Sequence, residues 1–394
     1  MAEKKAVSRA PLRIYVLWHK DYAEGQGYAD KIYAAFTRDV TTPLSRGIGI
    51  PVYFRYEVDN GDKPIDIDFS STENTAIIIL VDANIVVSDK WQEYIVSLRG
   101  KMANLNGRHR IYPVAIRKNA LNLRQLNGLN FIRLYDYEED VKSLRLINII
   151  SHELCRLLYN LPPIDNRQTQ PETSPAPLKI FISHAKIDGR EMAENIRDYI
   201  AKNASVKTFF DTNDIAIGYD FAHEIESAID DNTVLLALHT DKYTSSEWCK
   251  TEITIAKRKK RPIVVVSLYE KGEERSFPFM SNVKVFKYQS SKNDLEDIIG
   301  VALKETLKVK YQEMYIKYLL SINTMKGYTV LSSPPEPLTF LFLKKVKPSC
   351  IIYPDPPFCK AELELMYEFN NEYRFVTPTF ISLIKEKGEQ NGII

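Results

Sequence analysis

The chain has 394 residues, too many for one ordinary core and enough for two or three domains. Its apolar (44%) and charged (26%) fractions exclude wholesale disorder. With 53 Lys plus Arg against 51 Asp plus Glu, the net charge of +2 excludes a broad basic field, so no direct nucleic-acid partner is expected.

Residues 1–10 form a polar tail without the apolar core of a signal peptide. Strands are predicted over 13–17, 52–56, 76–81, 111–116 and 131–135, alternating with longer amphipathic stretches, which makes 11–160 a first α/β domain. Pro162, Pro163, Pro171, Pro175 and Pro177, set among Asn, Gln, Thr and Ser, mark 161–177 as an extended linker. The alternation then resumes over 179–183, 207–210, 234–239, 263–268 and 283–288. Between these strands lie helical stripes of Met192, Ile196, Tyr199 and Ile200 and of Phe221, Ile225, Ala228 and Ile229.

Short β-rich runs separated by helices predict doubly wound parallel sheets with right-handed crossovers. Residues 311–394 read as a small α/β module of unassigned role. It opens with a helix and a strand-like run over 338–343, and continues with Cys350-Ile351-Ile352-Tyr353, the turn Pro354-Asp355-Pro356-Pro357, a helix over 360–369 and Arg374-Phe375-Val376. The apolar runs 76–81, 234–238 and 263–266 are strand-sized, so no membrane span is expected. Cys155, Cys249, Cys350 and Cys359 match no zinc spacing and read as reduced thiols of a cytoplasmic protein; no metal site is expected.

Chemistry concentrates in the segment Ser245-Ser246-Glu247-Trp248-Cys249-Lys250-Thr251-Glu252. Trp248 and Glu252 stand four residues apart, so on a helix an indole and a carboxylate point into one cleft. In helical projection Cys249, Ile253 and Ala256 form the buried stripe, with Trp248, Glu252 and Ile255 on its flank. Ser183, His184 and Ala185 end the first strand of this domain, at the carboxyl edge where open α/β sheets bind ligands. A Ser183–His184 nucleophilic pair is set aside, because neighbours on a strand point to opposite faces. Asp211, Asp214 and Gly218 flank the loop after the second strand, the aspartates as cap and turn residues and Gly218 as a turn of positive φ. The basic run Lys257-Arg258-Lys259-Lys260-Arg261 reads as a solvated helix end that complements the helix dipole, the alternative being contact with an acidic neighbour or a nucleotide phosphate.

Taken in order, Phe181-Ile182-Ser183-His184, Phe209-Phe210-Asp211, Ile217-Gly218-Tyr219-Asp220-Phe221, the run 235–240, and Tyr243, Ser246, Trp248, Cys249 and Glu252 resemble the Toll/interleukin-1 receptor (TIR) family over 178–310. The resemblance implies a flavodoxin-like fold whose loop after the second strand serves recognition and self-assembly. Many members, bacterial ones especially, cleave NAD at the nicotinamide glycosidic bond with a helix glutamate four residues after a Trp, which implies that Glu252 is catalytic. Ser183, His184, Ala185, Asp211, Asp214, Gly218, Phe221 and Trp248 would then bind substrate. NAD+ enters as substrate with no resident cofactor, and the expected partner is a second copy or another TIR subunit, in bacterial antiphage immunity. A non-catalytic TIR scaffold and a synthase making a messenger from NAD are the competing readings.

The first series repeats the second, ending in Ser88-Asp89-Lys90-Trp91-Gln92-Glu93-Tyr94-Ile95. It keeps a tryptophan but places Ile95 four residues later, which predicts a degenerate, catalytically dead TIR-like copy for recognition or assembly.

Overall fold

A computed structural model describes residues 9–38, 47–57, 63–103, 105, 108–160, 178–202, 209–211, 226, 228–272, 277–323, 327–343, 350–369 and 371–381. The chain divides into two compact units, 1–150 and 151–394. Three parallel sheets form among the described residues. No described helix is long and apolar enough to cross a membrane.

The first unit holds β1 (Ala10–Leu17), α1 (Gly25–Phe36), β2 (Val52–Arg55), β3 (Thr72–Val81), α2 (Ala83–Val87), α3 (Asp89–Ala103), β4 (His109–Ala115) and β5 (Ile132–Arg133). Its strand order is β2-β1-β3-β4-β5, the flavodoxin-like arrangement with a switch point between β1 and β3. Both alternating sets on β3, such as Ile77 and Ile79 against Ile78 and Leu80, are fully buried. Helices therefore cover both faces, as continuous apolar runs in a parallel sheet require. Tyr15, Leu17, Ile77 and Ile79 pack on Trp91, Tyr94, Ile95 and Leu98 of α3. Gly25 opens α1 against the Trp18 ring, where a Cβ would come within 2.3 Å of Trp18 Cδ1.

The division between the units falls within α4 (Lys142–Leu158), ahead of the linker expected at 161–177, which lies outside the described residues. The second unit continues with β6 (Lys179–His184), α5 (Arg190–Lys202), β7 (Phe209–Asp211), β8 (Thr233–His239), α6 (Glu247–Arg258), β9 (Ile263–Ser267), β10 (Lys284–Lys287) and α7 (Asp294–Asn323). Its sheet runs β7-β6-β8-β9-β10, the same order as the first. Phe181, Leu235, Ala237 and Val265 face Cys249, Ile253 and Ala256 of α6, and the opposite set, Ile180, Ile182, Leu236 and Val264, is equally buried. Ile196 and Ile200 of the expected α5 stripe are buried, as are Ala228 and Ile229 of the next; Phe221 and Ile225 lie outside the described residues.

The boundary expected at 310/311 falls inside α7, which runs unbroken for 30 residues. Beyond it come β11 (Tyr328–Val330), α8 (Pro337–Leu343), β12 (Cys350–Ile352), α9 (Lys360–Phe369) and β13 (Arg374–Val376), with the sheet order β11-β12-β13. Ile316, Leu319 and Leu320 of α7 pack against Cys350, Ile352 and Val376. The strand predicted over 338–343 is instead part of α8. Pro337 sits at its first position, the backbone N–H of Glu336 donates to Thr339 Oγ1 at 3.1 Å, and so short an apolar run carries no period of its own.

Candidate functional site

Helix α6 starts because Ser246 caps it, its hydroxyl accepting from the Cys249 N–H at 3.4 Å, with Glu247 in the positive first turn. It ends in a Schellman motif: the Arg261 N–H reaches the Ala256 carbonyl at 2.9 Å and the Lys260 N–H the Lys257 carbonyl at 3.0 Å. Lys260 takes the left-handed position, φ 57°, that glycine usually fills. The buried face of α6 carries Cys249, Ile253, Ile255 and Ala256, and with them Glu252, which is only 3% exposed.

Glu252 sits in a buried polar cluster under the carboxyl edge of the sheet. Ser183, on β6, has its hydroxyl 2.6 Å from the Tyr243 hydroxyl, and both residues are inaccessible to water. Burial first, then the neighbouring Cys249 and after it Glu252, hold the Tyr243 phenol protonated far above its usual range. The Cys249 thiol is pushed up to about 12, mainly by burial and further by Glu252, so it is no nucleophile at neutral pH. His184 and Ala185 are buried beside Ser183.

Trp248 departs from the expected shared cleft: it is 51% exposed while Glu252 is buried, so the two side chains leave the helix toward different surroundings. The carboxylate follows the buried stripe of Cys249 and Ile253. Asp211 closes β7, paired in register with Ile182. Asp214, Gly218 and Phe221 lie outside the described residues.

An open cleft of about 680 Å³ lies over the same edge, at the switch point between β6 and β8. Its lining comes from the loops after β6 (Ile187 and Asp188), after β8 (Thr240 to Lys242, with Thr244 and Ser245) and after β9 (Leu268, and Glu270 to Gly272). Asp188 ties two of these loops, accepting from the Thr240 hydroxyl at 2.7 Å and the Lys242 N–H at 2.9 Å. Asp241 accepts from the backbone N–H groups of Lys271 and Gly272, each at 3.0 Å. His239, at the end of β8, has both ring nitrogens within 2.8 Å of the Tyr269 hydroxyl. Sequence reasoning missed His239, Tyr269, Asp188 and the role of Tyr243, although each lies at or just beyond the carboxyl end of a predicted strand, the signal by which they could be found.

The basic run is not a solvated helix end. Lys257 pairs with Glu336 at 2.8 Å, Arg258 with Glu226 at 2.9 Å and Arg261 with Asp231 at 2.9 Å, so acidic neighbours take up most of it.

Residues 180–299, which contain this cluster and cleft, match the family model for the TIR domain. This segment is a TIR domain. No curated protein matches the chain.

The first unit repeats the strand order of the TIR domain, but its helix α3 stands in a different register from the one the Ser-x-x-Trp pattern suggests. Ser88 accepts from the Trp91 N–H at 3.4 Å, just as Ser246 accepts from the Cys249 N–H, so Trp91 corresponds to Cys249 and not to Trp248. Tyr94 then corresponds to Glu252, and its hydroxyl donates to the Ile65 carbonyl at 3.3 Å. No carboxylate occupies that helix position; Glu93 is exposed. A buried acid beside Trp91 comes from another element. Glu57, after β2, accepts from the Trp91 indole N–H and from the Lys20 N–H at 2.8 Å, and stands 3.2 Å from His19 Nε2.

Proposed function

We propose that the TIR domain is an NAD+ glycohydrolase with Glu252 as its catalytic carboxylate, switched on by assembly, in a bacterial response to phage infection. One observation carries the reading: a carboxylate 3% exposed at the ligand-binding edge of a TIR domain, set among Ser183, Tyr243 and Cys249. Burying a carboxylate is costly, and such groups concentrate where chemistry needs them. A purely adhesive domain gains nothing from it.

The reaction needs a single acid residue. When the bond from ribose C1′ to nicotinamide breaks, its electron pair neutralises the pyridinium, so the leaving group departs neutral and needs no proton. Ordinary glycosidases require a second carboxyl group to protonate an alkoxide. Positive charge develops on the ribosyl ring, and the Glu252 carboxylate stabilises it from a site with little water. Water then adds to C1′, losing a proton and giving ADP-ribose, or a nucleophile within the same molecule closes a cyclic product. Tyr243 stays protonated and Cys249 stays a thiol, so neither competes as nucleophile. Unregulated NAD+ loss would be toxic, which fits activation by self-association or by a second TIR subunit.

The half-exposed Trp248 indole favours a second reading, a scaffold acting by TIR–TIR contact, since exposed aromatics suit interfaces. The test is nicotinamide release, followed by chromatography, from NAD+ incubated with purified protein with and without induced oligomerisation. Glu252→Gln is expected to lower the rate at least about a hundredfold, the scale of losing one key electrostatic stabiliser. Equal activity of wild type and variant would remove Glu252 from the mechanism. A wild type that assembles yet releases no nicotinamide would favour the scaffold.

A further inference from the structure

At the edge of the TIR sheet opposite the Glu252 cluster, a crevice of about 370 Å³ opens between the turn after α6, helix α7 and the end of β11. That size is within the range of small-ligand sites. Three cations line it, Lys260, Arg261 and Lys310, against two carboxylates, Asp231 and Glu313. The carboxylates are already matched: Asp231 pairs with Arg261 at 2.9 Å, and Glu313 pairs with Lys317 one turn along α7. Two ammonium groups remain. Lys260 Nζ reaches the Val330 carbonyl at 3.4 Å, and Lys310 Nζ lies 4.7 Å from the centre of the Tyr159 ring; among the described residues neither makes a direct ion pair, although both feel the charge of Glu313. Loss of water, with Arg261 and Lys317 nearby, holds the Lys260 ammonium below the usual lysine range despite the charge of Glu313. Asn232 and Ser332 add an amide and a hydroxyl to the lining.

The backbone points the same way. Lys260 occupies the left-handed position of the Schellman motif that glycine would fill with less strain, and a strained residue of this kind is a reason to look for function in its side chain. We propose that this crevice binds a small anion bearing a phosphate or diphosphate group, with Lys260 and Lys310 as its charge-bearing contacts. Two lysines without a direct ion pair, together with neutral donors, suit an acceptor-only group of high charge. The site shares no residue with the Glu252 cluster, so it stands whether or not the domain cleaves NAD+.

Binding of inorganic pyrophosphate and of ADP to the full chain, measured by titration calorimetry at fixed ionic strength, tests the proposal. Wild type is expected to bind pyrophosphate; ADP binding equal to it would mean that the diphosphate alone is read, and tighter ADP binding that the nucleoside is read too. Lys260→Gly and Lys310→Gln are each expected to weaken binding at least about tenfold, the scale of one charge-assisted contact. Lys260→Gly relieves the backbone and should melt above wild type, so lost binding cannot be put down to misfolding. No binding of either probe to wild type, or wild-type affinity in both variants, would overturn the site.

Discussion

Glu57 in the first unit and Glu252 in the second are both buried, and they differ in what surrounds them. Both Glu57 oxygens are engaged, by the Trp91 indole, the Lys20 backbone and His19. Truncating it leaves the N–H of a fully buried indole without its acceptor, so Glu57→Ala is expected to cost about 2–4 kcal/mol in the urea-induced unfolding of the first unit. Glu252 lies instead in the polar cluster at the carboxyl edge of the TIR sheet, and the catalytic role proposed for it would set the residue at the expense of stability. Glu252→Gln is therefore expected to hold or raise Tm while lowering nicotinamide release. A loss of more than about 2 kcal/mol in Glu252→Gln, measured the same way, would make its carboxylate a structural group like that of Glu57. Glu252 stood out in the sequence by its spacing from Trp248, although the two side chains share no cleft. Glu57 did not, because its partners come from three separate elements and no local pattern announces them.

Among elements, the strands were the most legible, since β-branched runs bounded by turn residues leave few alternatives; those of both five-stranded sheets lie where the sequence places them. Helix register was harder. Ser245 and Ser246 stand side by side, and only the cap hydrogen bond shows that the second starts α6, which shifts the match between the two copies by one residue. The run at 338–343 was misread because a few apolar residues fit either period, and the Pro337 start decides for a helix. The pairing of Lys257 with Glu336, which ties the end of α6 to the segment before α8, joins residues far apart in sequence and leaves no trace in local pattern. Both side chains are largely buried, so the pair should couple more strongly than a surface bridge. A double-mutant cycle of Lys257→Ala and Glu336→Ala in the full chain is expected to give about 1–3 kcal/mol. Coupling near zero would mean that this ion pair adds nothing to the hold of the C-terminal module on the TIR domain.

At the scale of the molecule, one strand order is used twice with different contents at the carboxyl edge, so the scaffold was readable from alternation while the division of the chain was not. Proline composition points to 161–177, yet the compact units part within α4, because a helix continues across the cut while the contacts of its residues change. His152, in the half of α4 that belongs to the second unit, makes that unit sensitive to acid. Burial, helped by Arg156, lowers its pKa from 6.5 to about 4. Above pH 6.5 the residue is neutral in both folded and unfolded chains and costs nothing. As the pH falls from 6.5 toward 4 the unfolded chain takes up a proton that the folded one refuses, so stability declines, by about 3 kcal/mol across the window at about 1.4 kcal/mol per pH unit. Carboxylates held below their usual range, such as Glu313 and Asp294, add their losses only at lower pH, as their folded forms begin to protonate. Urea unfolding of the second unit at pH 7, 5.5 and 4.5 should thus show a decline that His152→Gln largely removes. Parallel curves for the two proteins would mean that His152 gains a proton in the folded state as readily as in the unfolded one, and that α4 opens to water more than its packing implies.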